Sequence, residues 1–367
     1  MISIASPIID KEEIAAVNEV LESGMLAQGP KTAQLEENWA KYCGTKHALA
    51  VNSGTAAIHA ALYAAGVRGG DEVITTPYSF IATINPILML GARPVLVDID
   101  PQTFNIDVSK IEAAVTLKTK AIVPVDLYGQ PCEWDELREL ANKYNLAIVE
   151  DTCQAVGANY KGVKAGALGD LGCFSLYATK NIMCGEGGIV TTNSDEQAAA
   201  IRSFRQHGMV APYEYADLGY NYRMSDLQAA IAVEQLKKVD AFTARRQHVA
   251  EGLSRELSGV KGVKLPSVSP NRSHVYHQYT IVLTDEAAVS RQEFTAGLAE
   301  RGVGSGIYYP KPLHVYPHIA KLGYKTGDFP VAEDLAARVV SLPVHPKVSD
   351  DDIKTIAQAV KEVLANA

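Results

Sequence analysis

The stretch HALAVNSGTAAIHAALYAAG, His47–Gly66, decides the fold class. HALAV reads as a buried strand, Asn52-Ser53-Gly54-Thr55 as a turn, and AAIHAALYAAG as a helix that stops at Gly66. The same rhythm repeats along the chain. Glu72–Thr76 (EVITT) is the next strand, stopped by Pro77. Pro94–Ile99 (PVLVDI), Ala121–Val125 (AIVPV), Ala147–Glu150 (AIVE), Gly172–Leu176 (GCFSL) and Gly188–Thr192 (GIVTT) follow. Seven apolar runs with helical stretches between them predict an α/β fold whose sheet is covered on both faces.

Beyond about Gly219 the rhythm changes. Met224–Ala250 reads as a long helix, because Leu227, Ala230, Ile231, Val233 and Leu236 recur at helical spacing. His277–Thr284 alternates like a half-buried strand, Arg291–Arg301 is helical, Val303–Tyr309 is extended, and Asp350–Leu364 is a closing helix. The expected organisation is a large lobe over residues 1–244 and a smaller α+β lobe over residues 245–367. Gly259–Ser273 reads as a loop. At the other end, Lys11–Ser23 is predicted helical with Ile14, Val17, Val20 and Leu21 on one face. Asp10, with Glu13 three residues on, makes a capping box.

Composition limits the function classes. Of 367 residues, 47% are hydrophobic and 21% charged, the balance of an ordinary soluble globular protein rather than a disordered, fibrous or membrane-spanning chain. The net charge of −8 and the lack of a Lys/Arg-dense block argue against nucleic acid as a partner. Five cysteines, with no CxxC pair, suggest neither a disulfide framework nor a metal site, and fit a reducing compartment. The start MISIASPIIDKEE has no basic region and no apolar core of a secretion signal. The longest apolar stretch, Ile81–Leu90, contains Asn85 and Pro86 and is too short to span a bilayer. A cytoplasmic location is expected.

Four places depart from plain core and loop. At Asn52-Ser53-Gly54-Thr55-Ala56 a strand gives way to a helix, whose free N–H groups and dipole favour an anion such as phosphate; ordinary capping by Ser or Thr reads equally well there. Val149-Glu150-Asp151 ends an apolar strand, and carboxyl ends of strands face the crevice of an open α/β sheet. Asp151 is thus placed to meet a cation on a ligand, or to cap the next helix. In Phe174-Ser175-Leu176-Tyr177-Ala178-Thr179-Lys180-Asn181 a strand runs out into a turn holding Lys180, beside Gly185-Glu186-Gly187-Gly188. A desolvated lysine is an amine nucleophile, although most lysines are merely solvated. In Thr76-Pro77-Tyr78-Ser79-Phe80 an aromatic stands just past a strand end, either as a plate for a planar ligand or as core. Taken together, a phosphate cradle, an aromatic plate, an acid and an amine on one side of one sheet are what pyridoxal 5′-phosphate (PLP) requires.

The ordered set of motifs resembles the DegT/DnrJ/EryC1/StrS family of PLP-dependent nucleotide-sugar aminotransferases. Those motifs include DEVITTPYSFIAT, PVDLYGQPCEWDEL, AIVEDTCQAVGA, CFSLYATKN, GYNYRMSDLQAA, YYPKPLH and FPVAEDLAARVVSLPVHP, and the resemblance covers nearly the whole chain. It implies the aspartate-aminotransferase-like fold type I, with a large domain built on a mainly parallel seven-stranded sheet and a smaller C-terminal α+β domain. It implies Lys180 as the Schiff-base lysine, Asp151 as partner of the pyridine nitrogen, Gln154 beside the ring oxygen, and Phe80 stacked on the ring. Thr55, Ala56 and Ser175 match phosphate ligands, and Asn221 a residue lent to the phosphate by a neighbouring subunit, so that a homodimer shares its sites. Glu186, Arg223, Tyr309 and His314 match stretches that border the sugar-nucleotide site. The family's usual VHLYG reads VDLYG here, with Asp126 in place of the histidine. The implied reaction moves an amino group from an amino acid, L-glutamate, to a keto-sugar on a nucleoside diphosphate. The alternatives are a keto-inositol (aminocyclitol) acceptor, or a non-catalytic PLP-binding regulator.

Overall fold

A computed structural model describes residues 1–365; the last two residues of the expected C-terminal lobe lie outside it. The seven apolar runs form one sheet: β1 (His47–Val51), β2 (Glu72–Thr75), β3 (Arg93–Leu96), β4 (Thr119–Ile122), β5 (Ala147–Asp151), β6 (Leu171–Ser175) and β7 (Gly188–Thr192). Their order across the sheet is β1-β7-β6-β5-β4-β2-β3. β7 alone runs antiparallel to its neighbours, β1 and β6; all other pairings are parallel. This is the mainly parallel seven-stranded sheet that the sequence led one to expect.

Both faces of the sheet are covered, which is why these strands read as unbroken apolar runs. Successive side chains point to opposite faces. Leu49 and Val51 join Val149, Cys173 and Val190 in one core, under α3 (Gly54–Ala64) and α5 (Asp195–Phe204). Ala48 and Ala50 face the other way with Phe174 and Ile189, onto α2 (Pro30–Cys43) and α6 (Asp226–Glu256). Further along that second face, Ile74, Ile122 and Ile148 pack on Trp134 and Leu137 of α4 (Trp134–Tyr144).

α6 is longer than its sequence periodicity suggested, and it opens with a capping box between Ser225 and Gln228. Its early residues Ala229, Val233 and Leu236 sit in the large-lobe core; its late ones, Val249 and Leu253, sit in a second core. That second core is the smaller lobe. It holds an antiparallel sheet of β8 (Val263–Lys264), β9 (Tyr279–Leu283) and β10 (Val339–Leu342), with α7 (Arg291–Glu300) and α8 (Asp350–Ala365) against it. Ile2 pairs with Val303 and packs on this core too. The expected extended run Val303–Tyr309 forms no strand. It makes isolated bridges at Val303 and Gly306, then leaves the ladder and carries Tyr308 and Tyr309 to the large lobe.

The N-terminal helix α1 (Lys11–Ser23) has the expected capping box. Its buried face differs from the expected one. Glu13, Ala16 and Val20 are buried, while Ile14 and Leu21 are exposed. Glu13 replaces an apolar residue on this face because Lys238 and Gln235 of α6 meet its carboxylate at 2.8 and 2.7 Å.

Candidate active site

Strand register assembles the site. Asp151 pairs beside Cys173, and Ser175 and Val51 both pair with Gly188, so the carboxyl ends of β1, β5 and β6 adjoin the start of β7. A cavity of about 490 Å³ opens there, closed on its far side by the loop carrying Tyr308 and Tyr309.

The helix α3 begins at the floor of this cavity. Ser53 is its N-cap, with Oγ accepting the Ala56 N–H at 3.1 Å. Two glycines permit the approach. A Cβ on Gly54 would lie 2.8 Å from Ser175 Cβ, and one on Gly188 would lie 2.3 Å from the Ser53 carbonyl oxygen. The first turn of α3 therefore sits directly against the ends of β6 and β7, with the side chains of Thr55 and Ser175 at the cavity wall. Hydroxyls and helix-start N–H groups converging on one spot form an anion cradle. Ala56 lies behind this wall, buried, with its N–H donated to Ser53 Oγ.

Asp151 is buried. Its Oδ2 accepts from Thr83 Oγ1 at 2.7 Å and its Oδ1 from the Cys153 N–H at 3.3 Å. Lys180 follows β6 on a turn and reaches the same cavity. Burial pushes its amine below the ordinary lysine value, against the opposing pull of Cys153 and Asp151. Gln154 is held from two sides. Its Oε1 accepts the Tyr128 N–H at 2.9 Å and its Nε2 donates to Tyr309 Oη at 3.2 Å. Phe80 stands 56% exposed at the mouth, tilted 34° to the Tyr309 ring. Glu186 lies on the rim.

Three more expected residues lie outside the cavity. Asn221 is exposed, between Tyr220 and Tyr222, whose rings stack at 5.0 Å and pack on His59 and Phe204. Arg223 forms a backbone bridge with Val51. His314 is fully buried; its Nε2 meets Glu333 Oε1 at 2.9 Å and its ring packs edge-on to Phe329.

The donor set fits PLP: an anion cradle for the phosphate, a buried carboxylate for the ring nitrogen, an amine of lowered basicity, and an aromatic face open to the cavity. The sequence model of the DegT/DnrJ/EryC1/StrS aminotransferase family matches residues 7–361. The chain belongs to this family. The aminotransferase is 42% identical over 376 residues to the spore coat polysaccharide biosynthesis protein SpsC of Bacillus subtilis, covering 98% of this chain and 96% of that one. It is 40% identical over 367 residues to GDP-perosamine synthase of Caulobacter vibrioides, covering 99% and 98%. Among solved structures it superposes on Spr1654 of Streptococcus pneumoniae in its PLP form with a TM-score of 0.93, at 29% identity over 100% and 99% of the two chains. It is a sugar aminotransferase of a PLP-dependent family. No helix among its described residues is long and apolar enough to cross a membrane.

The structure of the aminotransferase adds residues that sequence reading did not single out. Thr83 binds Asp151, Tyr128 fixes Gln154, and His277 lines the cavity beside Lys180. His277 Nδ1 lies 3.3 Å from Asn181 Oδ1; burial, with the charges of Lys180 and Arg246, keeps the ring well below the usual histidine value. Thr83 closes the TTPYSFIAT stretch and His277 opens a predicted strand, but neither position carried a spacing signal.

Proposed function

We propose that this enzyme transfers the amino group of an amino acid, L-glutamate, to a keto-sugar carried on a nucleoside diphosphate, using PLP bound at Lys180 in a homodimer of the cytoplasm. The observation that carries this reading is the placing of the Lys180 amine and the Asp151 carboxylate in one cavity, the amine lowered by burial. The name of the perosamine synthase relative supports a nucleotide-linked acceptor.

In this reading Thr55, Ser175 and the N–H groups opening α3, Ala56 among them, bind the phosphate, and Asn221 of the second subunit completes its shell. PLP, when bound, supplies an electron-withdrawing ring that acidifies the donor's α-carbon. Asp151 keeps a proton on the ring nitrogen by its negative charge, and Thr83 holds that carboxylate in place. Lys180 Nζ is the base that takes the α-proton, a role that needs a neutral amine near working pH. Phe80 covers the ring face. Gln154, clamped by Tyr128 and Tyr309, orients the ring oxygen. Glu186 and Tyr309 border the acceptor, with Arg223 and His314 in the segments that shape its approach.

The test is a visible absorption spectrum of the protein with PLP, before and after L-glutamate, followed by product analysis with a panel of keto-sugar nucleotides and scyllo-inosose. The expected result is a yellow band that glutamate bleaches, then amination of a nucleotide sugar. Amination of the inosose alone would move the acceptor to the cyclitols. A band unmoved by every amino acid would indicate a regulator, and no band with excess PLP would overturn the reading.

A further inference from the structure

Directly behind Asp151, two more carboxyls are wholly enclosed. Glu150 precedes Asp151 on β5, and Asp126 stands just beyond β4, at the position where VHLYG reads VDLYG; both are 0% exposed. The Asp126 backbone N–H donates to the Asp151 carbonyl oxygen at 3.1 Å, which ties this group to the site. The two carboxyls lie within hydrogen-bonding reach of each other.

Their other contacts are unequal. Glu150 Oε1 accepts from the Gly166 N–H at 2.7 Å, and Oε2 from the N–H groups of Leu168 and Gly169, both at 3.2 Å. Asp126 Oδ1 accepts the Cys132 N–H at 2.9 Å, while Oδ2 is buried with no donor facing it. Around the pair stand Asp151 and the thiols of Cys132, Cys43 and Cys173. Cations nearby act on neighbours of the pair: Arg272 on Cys132, Lys164 on Cys43, and Lys180 with Asp151.

We propose that Asp126 and Glu150 share one proton, carried on Asp126 Oδ2 and donated to an ionised Glu150, and that this pair is a positioning unit holding Asp151 and a single negative charge behind it. Two carboxylates within hydrogen-bonding reach, in a dry interior without a counter-cation, do not both ionise. Three backbone N–H donors identify Glu150 as the ionised member, because a protonated oxygen there would oppose an N–H. The orphaned Oδ2 identifies the proton's seat. Burial pushes both carboxyls up, Glu150 as well as Asp126, so it is the backbone donors around Glu150 and not burial that tell the two apart. The consequence for catalysis rests on Asp151 meeting the ring nitrogen. A neutral Asp126 leaves one negative charge behind Asp151, on Glu150, instead of two.

The experiment is infrared spectroscopy of the purified protein, with and without PLP, near neutral pH in H2O and D2O. Wild type is expected to show the deuterium-sensitive carbonyl stretch of a buried, protonated carboxylic acid, and D126N to lose it. D126N should melt within about a degree of wild type, since the asparagine amide donates to Glu150 as the acid did. E150Q should melt several degrees lower, because its NH2 meets a backbone N–H. Absence of the stretch in wild type, its persistence in D126N, or an E150Q protein as stable as D126N would each overturn the proposal. Should E150Q fail to fold, the D126N spectrum still decides. Comparing D151N with wild type for the pH midpoint of the PLP band tests the Asp151 reading separately, and the carboxylic-acid stretch does not depend on it.

Discussion

Lys180 and Asp151 line one cavity, and the different roles proposed for them predict that their substitutions separate. Lys180→Ala is expected to lower turnover by at least about 10³-fold and to remove the covalent yellow band. Asp151→Asn should keep PLP bound while slowing turnover on the order of 10²–10³-fold; stopped-flow half-reactions with glutamate measure both. Because burial lowers the Lys180 value, the basic amine is available at lower pH than for a solvated lysine. The acid limb of kcat/KM should therefore lie well below pH 10.5, near which a free lysine titrates. Both residues were legible in the sequence because each is polar and lies at, or within five residues of, the carboxyl end of an apolar strand. Thr83 and Tyr128 were not, because their roles come from partners 68 and 26 residues away. His314 matched a bordering stretch, yet its ring is occupied by Glu333 and Phe329.

At the scale of elements, the proposed phosphate seat depends on how closely α3 approaches β6. Gly54→Ala would force a Cβ to within 2.8 Å of Ser175 Cβ, so the helix start must retreat. The expected result is a rise in the PLP dissociation constant of about tenfold or more, equivalent to about 1.4 kcal/mol, read by titrating the apo-enzyme. Ser53→Ala removes an N-cap instead, and should cost about 1 kcal/mol of stability with a smaller effect on affinity. The seven strands of the main sheet were readable because burial on both faces makes them continuous apolar runs between turn residues. β10 was not, because it starts at Val339 immediately after the helix Pro330–Arg338, with no glycine or proline between them. The face of α1 was misread because Glu13, a charged residue, is buried through its contacts with Lys238 and Gln235.

For the whole molecule, buried histidines govern the response to acid. Burial lowers His59 to about 4 and His274 to about 3, and holds His277 well below its usual value. In the unfolded chain each titrates near 6.5. Their neutral forms therefore add stability that is complete above about pH 6.5 and is lost as pH falls towards the folded values, at up to about 1.4 kcal/mol per pH unit for each. Melting temperature should fall steeply between about pH 6.5 and 4.5, and His59→Gln should flatten that slope; an unchanged slope would remove His59 from the account. Assembly has its own test: mixing Lys180→Ala with Asn221→Ala chains should restore activity at one of the two sites of each heterodimer, and silent heterodimers of verified composition would argue against a shared site. The helix α6 also sets a rule for building chimeras from relatives of this enzyme. It is rooted in one core and ends in the other, while Ile2 belongs to the core that α6 reaches last. A graft that exchanges the smaller lobe needs its junction inside the helix, between Val239 of the first core and Val249 of the second, and must carry the first few residues of the chain along as a second, separate piece.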